Sequence, residues 1–159
     1  MRRASKKPSA WRLPCAFLLV AVLVGCGDGG MPPLYQVTGK LTIDGKPVPD
    51  ATVTFQPITT SETQFARPSV CISGADGTIE PWTMVPGDGL PEGRYRVGVQ
   101  ARTQTSGPPM TERTTSAEYA RMKFDWIVPK QYLDASTSGI EVTVTPDGME
   151  PEVIALTSE

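Results

Sequence analysis

The sequence predicts an all-β fold, a single antiparallel β-sandwich of seven strands. In several short segments apolar side chains recur at every second position, a period typical of strands that bury one face. Turn signals such as Asp-Gly separate these segments, and the 15 Gly and 16 Pro disfavour sustained helix. Short strands with frequent turns are typical of two sheets packed face to face.

The first 25 residues differ from the rest of the chain in charge and hydropathy. They contain five basic residues and no acidic one, followed by an apolar run over residues 16–24. Nine residues are too few for a membrane-spanning helix, which needs about 20. The run ends in Leu23-Val24-Gly25-Cys26, which resembles the lipobox of a bacterial lipoprotein signal peptide.

This resemblance implies cleavage between Gly25 and Cys26, and a diacylglycerol thioether plus a further acyl chain such as palmitate on Cys26. Each buried methylene contributes about 0.8 kcal/mol, so two or three acyl chains hold a protein at a membrane. We therefore expect export to the cell envelope and attachment to a membrane through Cys26. The alternative is an ordinary secretory signal followed by a coincidental cysteine.

Composition excludes several classes of function. The signal region holds five of the 15 Lys and Arg and none of the 17 acidic residues, so residues 26–159 carry a net charge of −7 and have no electrostatic attraction to nucleic acid. The chain has no histidine, which excludes Ser-His-Asp and Cys-His catalysis and His-ligated zinc. We expect no enzyme activity and no cofactor, with Cys71 as a buried free thiol.

After Cys26, a short polar and proline-bearing tether over residues 26–34 leads to one domain over residues 35–159. The turn at Asp44-Gly45-Lys46-Pro47 joins the first two strands, and Pro81 confines the fourth to an edge or a bulge. The alternation is clearest in the fifth and sixth strands. In chain order the seven strands are predicted at residues 37–43, 52–56, 68–73, 78–84, 94–101, 140–145 and 152–157.

An insertion over residues 102–130 interrupts the regular spacing of the strands. Within it, residues 116–126 are predicted to form one or two helical turns with Tyr119, Met122 and Trp126 on one face. Its aromatic residues suggest a binding patch, because aromatic anchors are common in such patches. The candidate patch is Tyr119, Phe124, Trp126 and Tyr132. Packing of the insertion over an open sheet edge, or disorder of the insertion, is the alternative.

Acidic residues supply further candidate sites. Asp44, Asp76, Asp88 and Asp147 each precede a glycine, which is typical of turns, and a calcium-dependent adhesion module is the alternative. Two carboxylates such as Glu80 and Asp88 would serve hydrolysis if they lay about 5 to 9 Å apart. An envelope hydrolase or carbohydrate-active protein is therefore the other alternative. An amide crosslink among Lys40, Glu80 and Asp134 is a further option.

Three segments together resemble the carboxypeptidase regulatory-like domains of bacterial envelope lipoproteins. They are VTGKLTIDGKPVPDATVTFQP at residues 37–57, GADGT with LPEGRYRV at residues 74–78 and 90–97, and IVPKQYLDASTSGIEVTVT at residues 127–145. Ala75 and Gln131 depart from the family pattern. The resemblance implies a transthyretin-like (prealbumin-like), Ig-like sandwich without peptidase residues. Such a module binds or supports an envelope protein or glycan.

Overall fold

The computed structural model describes residues 31–58 and 66–158 of the 159-residue chain. The predicted signal peptide, the cleavage site at Gly25, the lipidation site at Cys26 and the first part of the tether lie outside the described residues. Within them, no helix is long and apolar enough to cross a bilayer.

The described residues are mostly β-strand, with one short α-helix and one 3-10 turn. Strand β8 is the longest, and several others contain only two or three residues. The strands are β1 Leu34–Tyr35, β2 Gly39–Ile43, β3 Lys46–Pro47, β4 Thr52–Pro57, β5 Ser69–Ile72, β6 Thr78–Ile79, β7 Leu90–Pro91, β8 Gly93–Gln100, β9 Arg102–Ser106, β10 Lys123–Trp126, β11 Glu141–Thr145, β12 Gly148–Glu150 and β13 Val153–Leu156. Helix α1 is Ser116–Tyr119, and the 3-10 turn is Lys130–Leu133.

The larger sheet has five strands in the order β12-β11-β8-β4-β5, and all its pairs are antiparallel. Its central strand shows the predicted alternation. Tyr95, Val97 and Val99 are buried, while Arg94 and Arg96 are exposed on the opposite face. A strand whose alternate side chains are buried fits a sheet with one face against the core.

The second sheet has the order β13-β2-β3, with β6 also paired to β2. Here the prediction of an exclusively antiparallel fold is wrong, because β13 runs parallel to β2, with Ile154 opposite Leu41. The reason lies in the connection. Strand β12 pairs with β11 in the five-stranded sheet. The chain then crosses to the second sheet, where β13 runs in the same direction as β2.

Apolar residues of both sheets form one hydrophobic cluster. Leu41 and Ile154 come from the second sheet and Val53 and Phe55 from the first, each with no more than 1% of its surface exposed. The ring of Phe55 meets the ring of Tyr95 edge to face, with centroids 6.4 Å apart. Burial of a large apolar side chain contributes about 1.5–3 kcal/mol, so this shared cluster holds the two sheets together.

Each of the seven predicted strand regions contains strand residues. The strand in the fourth region is the shortest of the seven, because β6 ends at Ile79 and pairing resumes only at a bridge between Trp82 and Val70. Pro81 lies between them and has no N–H to donate. The short strands β1, β3, β7, β9, β10 and β12 were not predicted.

In the insertion, α1 ends at Tyr119, and residues 123–126 form strand β10. The predicted helix is therefore wrong beyond its first turn. Residues 102–126, hereafter the arm, are a two-stranded antiparallel ribbon of β9 and β10 with α1 in its connection.

Strand β8 also relates the two ends of the molecule. At its Gly93 end, β1 pairs with β7, so that Tyr35 lies opposite Leu90. At its Gln100 end, the chain continues through Ala101 into the arm. The seven steps between its eight residues rise about 3.3 Å each, so about 23 Å of strand separates these ends. We call them the tether end and the arm end.

Candidate functional site

The arm is held in shape by its own hydrogen bonds. At the start of α1, the Thr115 hydroxyl accepts the N–H of Glu118, and the Glu118 carboxylate accepts the N–H of Thr115 at 2.8 Å. Hydrogen bonds from the Thr115 N–H and hydroxyl lower the pKa of the Glu118 carboxyl. Met122 follows α1 and is 8% exposed, so it anchors the connection against the ribbon. The arm therefore presents a defined surface.

Gly107 is required where the connection crosses itself. Its φ is +103°, and a Cβ at this position would lie 2.8 Å from the Met122 Cα and the Arg121 carbonyl oxygen. Any side chain would push these two segments apart.

Arg102, Tyr119 and Phe124 form a contact cluster on the arm. The Arg102 guanidinium lies 4.7 Å from the centroid of the Phe124 ring, and one of its N–H groups donates to the Tyr119 hydroxyl at 2.9 Å. The Tyr119 and Phe124 rings are 5.7 Å apart and tilted by 35°. The Arg102 side chain thus contacts both α1 and β10, and it holds the Tyr119 and Phe124 rings in fixed positions.

Trp126 lies on the same face of the ribbon as Phe124, because residues two apart in a strand point the same way. It pairs with Arg102 across the ribbon and is 47% exposed. Its indole borders a cleft of about 270 Å³ at the arm end. The cleft is lined by Asp50, Thr52, Gln100, Arg102 and Trp126. One aromatic face is therefore surrounded by a carboxylate, a hydroxyl, an amide and a guanidinium.

Register explains how the cleft assembles. Thr52 of β4 lies opposite Gln100 of β8, and Asp50 precedes β4 in a turn with a φ of +54°. The Gln100 amide donates to the Leu133 carbonyl at 3.2 Å, which fixes the side chain at the cleft wall. Three separate parts of the chain thus meet at one end of the molecule.

The structure brings together three of the four predicted patch residues. Tyr119 and Phe124 are in contact, and Trp126 shares their ribbon. Tyr132 is elsewhere: it is 8% exposed, belongs to the hydrophobic cluster, and its hydroxyl lies 3.1 Å from that of Thr157. Tyr132 is therefore a core residue in the structure rather than part of the surface.

Asp50, Gln100 and Arg102 are site residues that the sequence did not single out. The one sequence feature that could have indicated Arg102 is its position as the first residue after the clearest predicted strand. Asp50 and Gln100 are 50 positions apart and meet only through the β4–β8 register.

The acidic turn residues are engaged in hydrogen bonds of the fold. Asp44 accepts the N–H of Ser158, and Asp76 accepts the Thr78 N–H and hydroxyl. Asp147 follows Thr145, whose hydroxyl accepts its N–H. Within residues 31–58 and 66–158, no three acidic or thiol side chains converge as they would around a metal ion.

Three members of the other candidate groupings, Asp88, Lys40 and Asp134, are engaged in contacts outside those groupings. The Asp88 carboxylate accepts three backbone N–H groups, while Glu80 lies exposed at the edge of a shallow cleft beside Gln36. Lys40 pairs with Asp76, and Asp134 accepts the Ser136 N–H and hydroxyl.

Cys71 lies on the buried face of β5 and is 3% exposed. Burial raises the pKa of its thiol to about 12. A thiol in this state is a poor nucleophile, because the thiolate is the reactive form.

The chain was compared with family models, curated proteins and solved structures, and none of the three comparisons gives a match.

Proposed function

We propose that this chain is an envelope lipoprotein that is lipid-anchored through Cys26, and that its body is a non-catalytic, transthyretin-like β-sandwich acting as a binding module. The Leu23-Val24-Gly25-Cys26 motif after a basic and apolar segment supports the anchor. The two sheets around one apolar cluster support the sandwich.

One observation carries the proposal. The residues nearest Cys26 in sequence enter the fold at the tether end, and the surface with the aromatic residues lies at the arm end, about 23 Å along β8. A protein attached to a membrane at one end presents its opposite end to the surroundings. The Arg102 cluster and the Trp126 cleft are therefore positioned for a partner away from the anchoring membrane.

The lining of the cleft favours an envelope glycan as this partner. Sugars combine apolar ring faces with many hydroxyl groups, and an indole beside hydrogen-bonding side chains is complementary to both. Trp126 supplies the aromatic face, and Asp50, Thr52 and Gln100 supply donors and acceptors. At about 270 Å³ the cleft is smaller than the pockets of about 300–1,000 Å³ that hold drug-sized ligands, so it suits one part of a polymer.

Two features favour binding over catalysis. The missing histidine removes the commonest general base, and the Asp88 carboxylate is engaged by the backbone of residues 83–85. The Asp76 carboxylate is bonded within its own turn and the Asp44 carboxylate accepts the N–H of Ser158, which disfavours a calcium-dependent adhesion module.

Co-sedimentation with isolated envelope polysaccharide tests the binding role. Trp126→Ala should weaken retention at least about 5-fold, because truncation of an aromatic anchor of a binding patch costs more than about 1 kcal/mol. Val153→Ala is the matched control, since Val153 is an equally exposed apolar residue of β13 in the second sheet, outside the cleft, and it should bind as wild type does.

If the Trp126→Ala variant is retained as strongly as the wild type, the assignment of the cleft is wrong. Retention that disappears when the polysaccharide is first treated with protease would identify the partner as an envelope protein, and so would contradict the glycan assignment.

A further inference from the structure

The tether end carries an apolar loop whose shape is fixed by hydrogen bonds. Within residues 83–88, the Asp88 carboxylate accepts the N–H of Thr83 at 2.8 Å through Oδ1, and those of Met84 and Val85 at 2.8 and 2.9 Å through Oδ2. The Thr83 hydroxyl donates to the Gly89 carbonyl at 2.7 Å. The loop is therefore built around one carboxylate and does not rely on apolar packing.

This construction turns two apolar side chains outward. Met84 is 44% exposed and Val85 is 60% exposed, and Pro86 beside them is also exposed. Other exposed apolar residues, such as Ile72 and Met110, belong to different elements. Here three consecutive apolar residues form the tip of a single loop, and their exposure to water costs free energy that contact with an apolar partner would recover.

The same loop lies against the start of the fold. The Gln36 amide donates to the Gly87 carbonyl at 2.7 Å, and a Cβ on Gly89 would collide with the Tyr35 carbonyl oxygen. Gly89 has a φ of +87° and directs the chain from the loop into β7, which pairs with β1. The loop and the first strand therefore form one unit.

The length of chain before β1 limits how far this unit lies from the anchor. Eight residue steps separate Cys26 from Leu34, and a fully extended chain spans at most about 3.6 Å per step, or about 29 Å. A lipid on Cys26 therefore keeps the tether end within this distance of the bilayer, and a second contact at the tether end is needed to fix the orientation of the domain.

We propose that the loop tip Met84-Val85-Pro86 inserts into the interfacial region of the bilayer that holds the Cys26 lipid, and so fixes the orientation of the domain on the membrane. This inference rests on the proposed lipid anchor. Exposed Glu80 and Glu92 lie near the loop, so the interaction is apolar and does not require anionic headgroups.

Depth-dependent fluorescence quenching tests the inference on the lipidated protein, extracted from membranes and reconstituted into phosphatidylcholine vesicles. Cys71 is buried, so a cysteine introduced at an exposed position is the thiol that an environment-sensitive dye labels. The dye is placed at position 84 by Met84→Cys and, as the matched control, at position 110 by Met110→Cys. Met110 is 54% exposed and belongs to the arm.

We expect the dye at position 84 to shift its emission to the blue and to lose intensity when the vesicles contain brominated phosphatidylcholine. The dye at position 110 should do neither. A second label through Val85→Cys should behave as the label at position 84 does, which guards against a local effect of the first substitution.

Protein that floats with the vesicles but is quenched equally little at positions 84 and 110 would overturn the loop inference and leave the lipid anchor standing. Wild-type protein that does not float would overturn the anchor, and the loop inference with it.

Discussion

Replacing Arg102 with alanine should loosen the arm and leave the rest of the domain unchanged. Arg102 joins α1 to β10 through its contact with the Phe124 ring and its hydrogen bond to the Tyr119 hydroxyl. Within residues 102–126, Met122 is the one buried apolar side chain, so the arm has little apolar burial to compensate for the loss.

The size of the effect follows from these two contacts. An exposed cation–π contact contributes about 0.5–1 kcal/mol, and a hydrogen bond contributes about 0.5–1.5 kcal/mol. Since the cluster is exposed, we take about 1–2 kcal/mol for the pair. This loss in the free energy of local opening speeds amide exchange by roughly 5- to 30-fold, because 1.4 kcal/mol corresponds to a factor of ten.

Hydrogen exchange resolved by residue measures the effect directly. The amides of β9 and β10 should exchange faster in Arg102→Ala, whereas those of β4 and β8 should keep the wild-type rate. Arg113→Ala is the matched control, because Arg113 is an exposed arm residue whose side chain makes no hydrogen bond or ion pair among the described residues. Unchanged exchange in the β9 and β10 amides, or equal acceleration in β4 and β8, would refute the reasoning.

Three further predictions concern stability and reactivity. Ser73→Ala should lower the free energy of unfolding by about 2–4 kcal/mol in urea titrations, because the buried hydroxyl accepts one backbone N–H at 2.9 Å and donates to one backbone carbonyl at 2.7 Å. The exposed Ser136→Ala should change it by no more than about 0.5 kcal/mol, and equal effects would contradict the prediction. Asp76 has its pKa lowered from 3.8 by hydrogen bonds from Lys40 and Thr78, so its contribution to stability is complete above the unfolded pKa and is lost as the pH falls through the folded pKa. The urea midpoints of wild type and Asp76→Asn should therefore differ near neutral pH and converge towards about pH 2, and a constant difference would exclude this role. Cys71 should resist a thiol reagent in the native protein and react on unfolding in urea, because burial raises its pKa to about 12, and immediate native-state labelling would contradict its buried position.

Alternating apolar residues were enough to locate the main strands. Tyr95, Val97 and Val99 face the core as their spacing predicts, and so do Val142 and Val144. A period of two identifies a strand and its buried face, but it does not identify the partner or its direction. The parallel pairing of β13 with β2 depends on where the chain crosses between sheets, which local sequence does not encode.

The candidate site was only partly predictable for the same reason. The sequence indicated Trp126 and Phe124 as aromatic residues of an insertion, but their strand conformation depends on pairing with β9. Tyr132 lies close to them in sequence and is buried, because its hydroxyl meets Thr157 near the end of the chain. Arg102 and Asp50 gain their roles only from tertiary contacts.

The intact mass of the protein extracted from membranes tests the central claim most directly, since both the anchor and the orientation of the domain depend on one modified cysteine. We predict a chain that begins at Cys26 and carries the added mass of a diacylglycerol and a further acyl group. A chain that retains residues 1–25, or begins at Cys26 with no added lipid mass, would contradict the account.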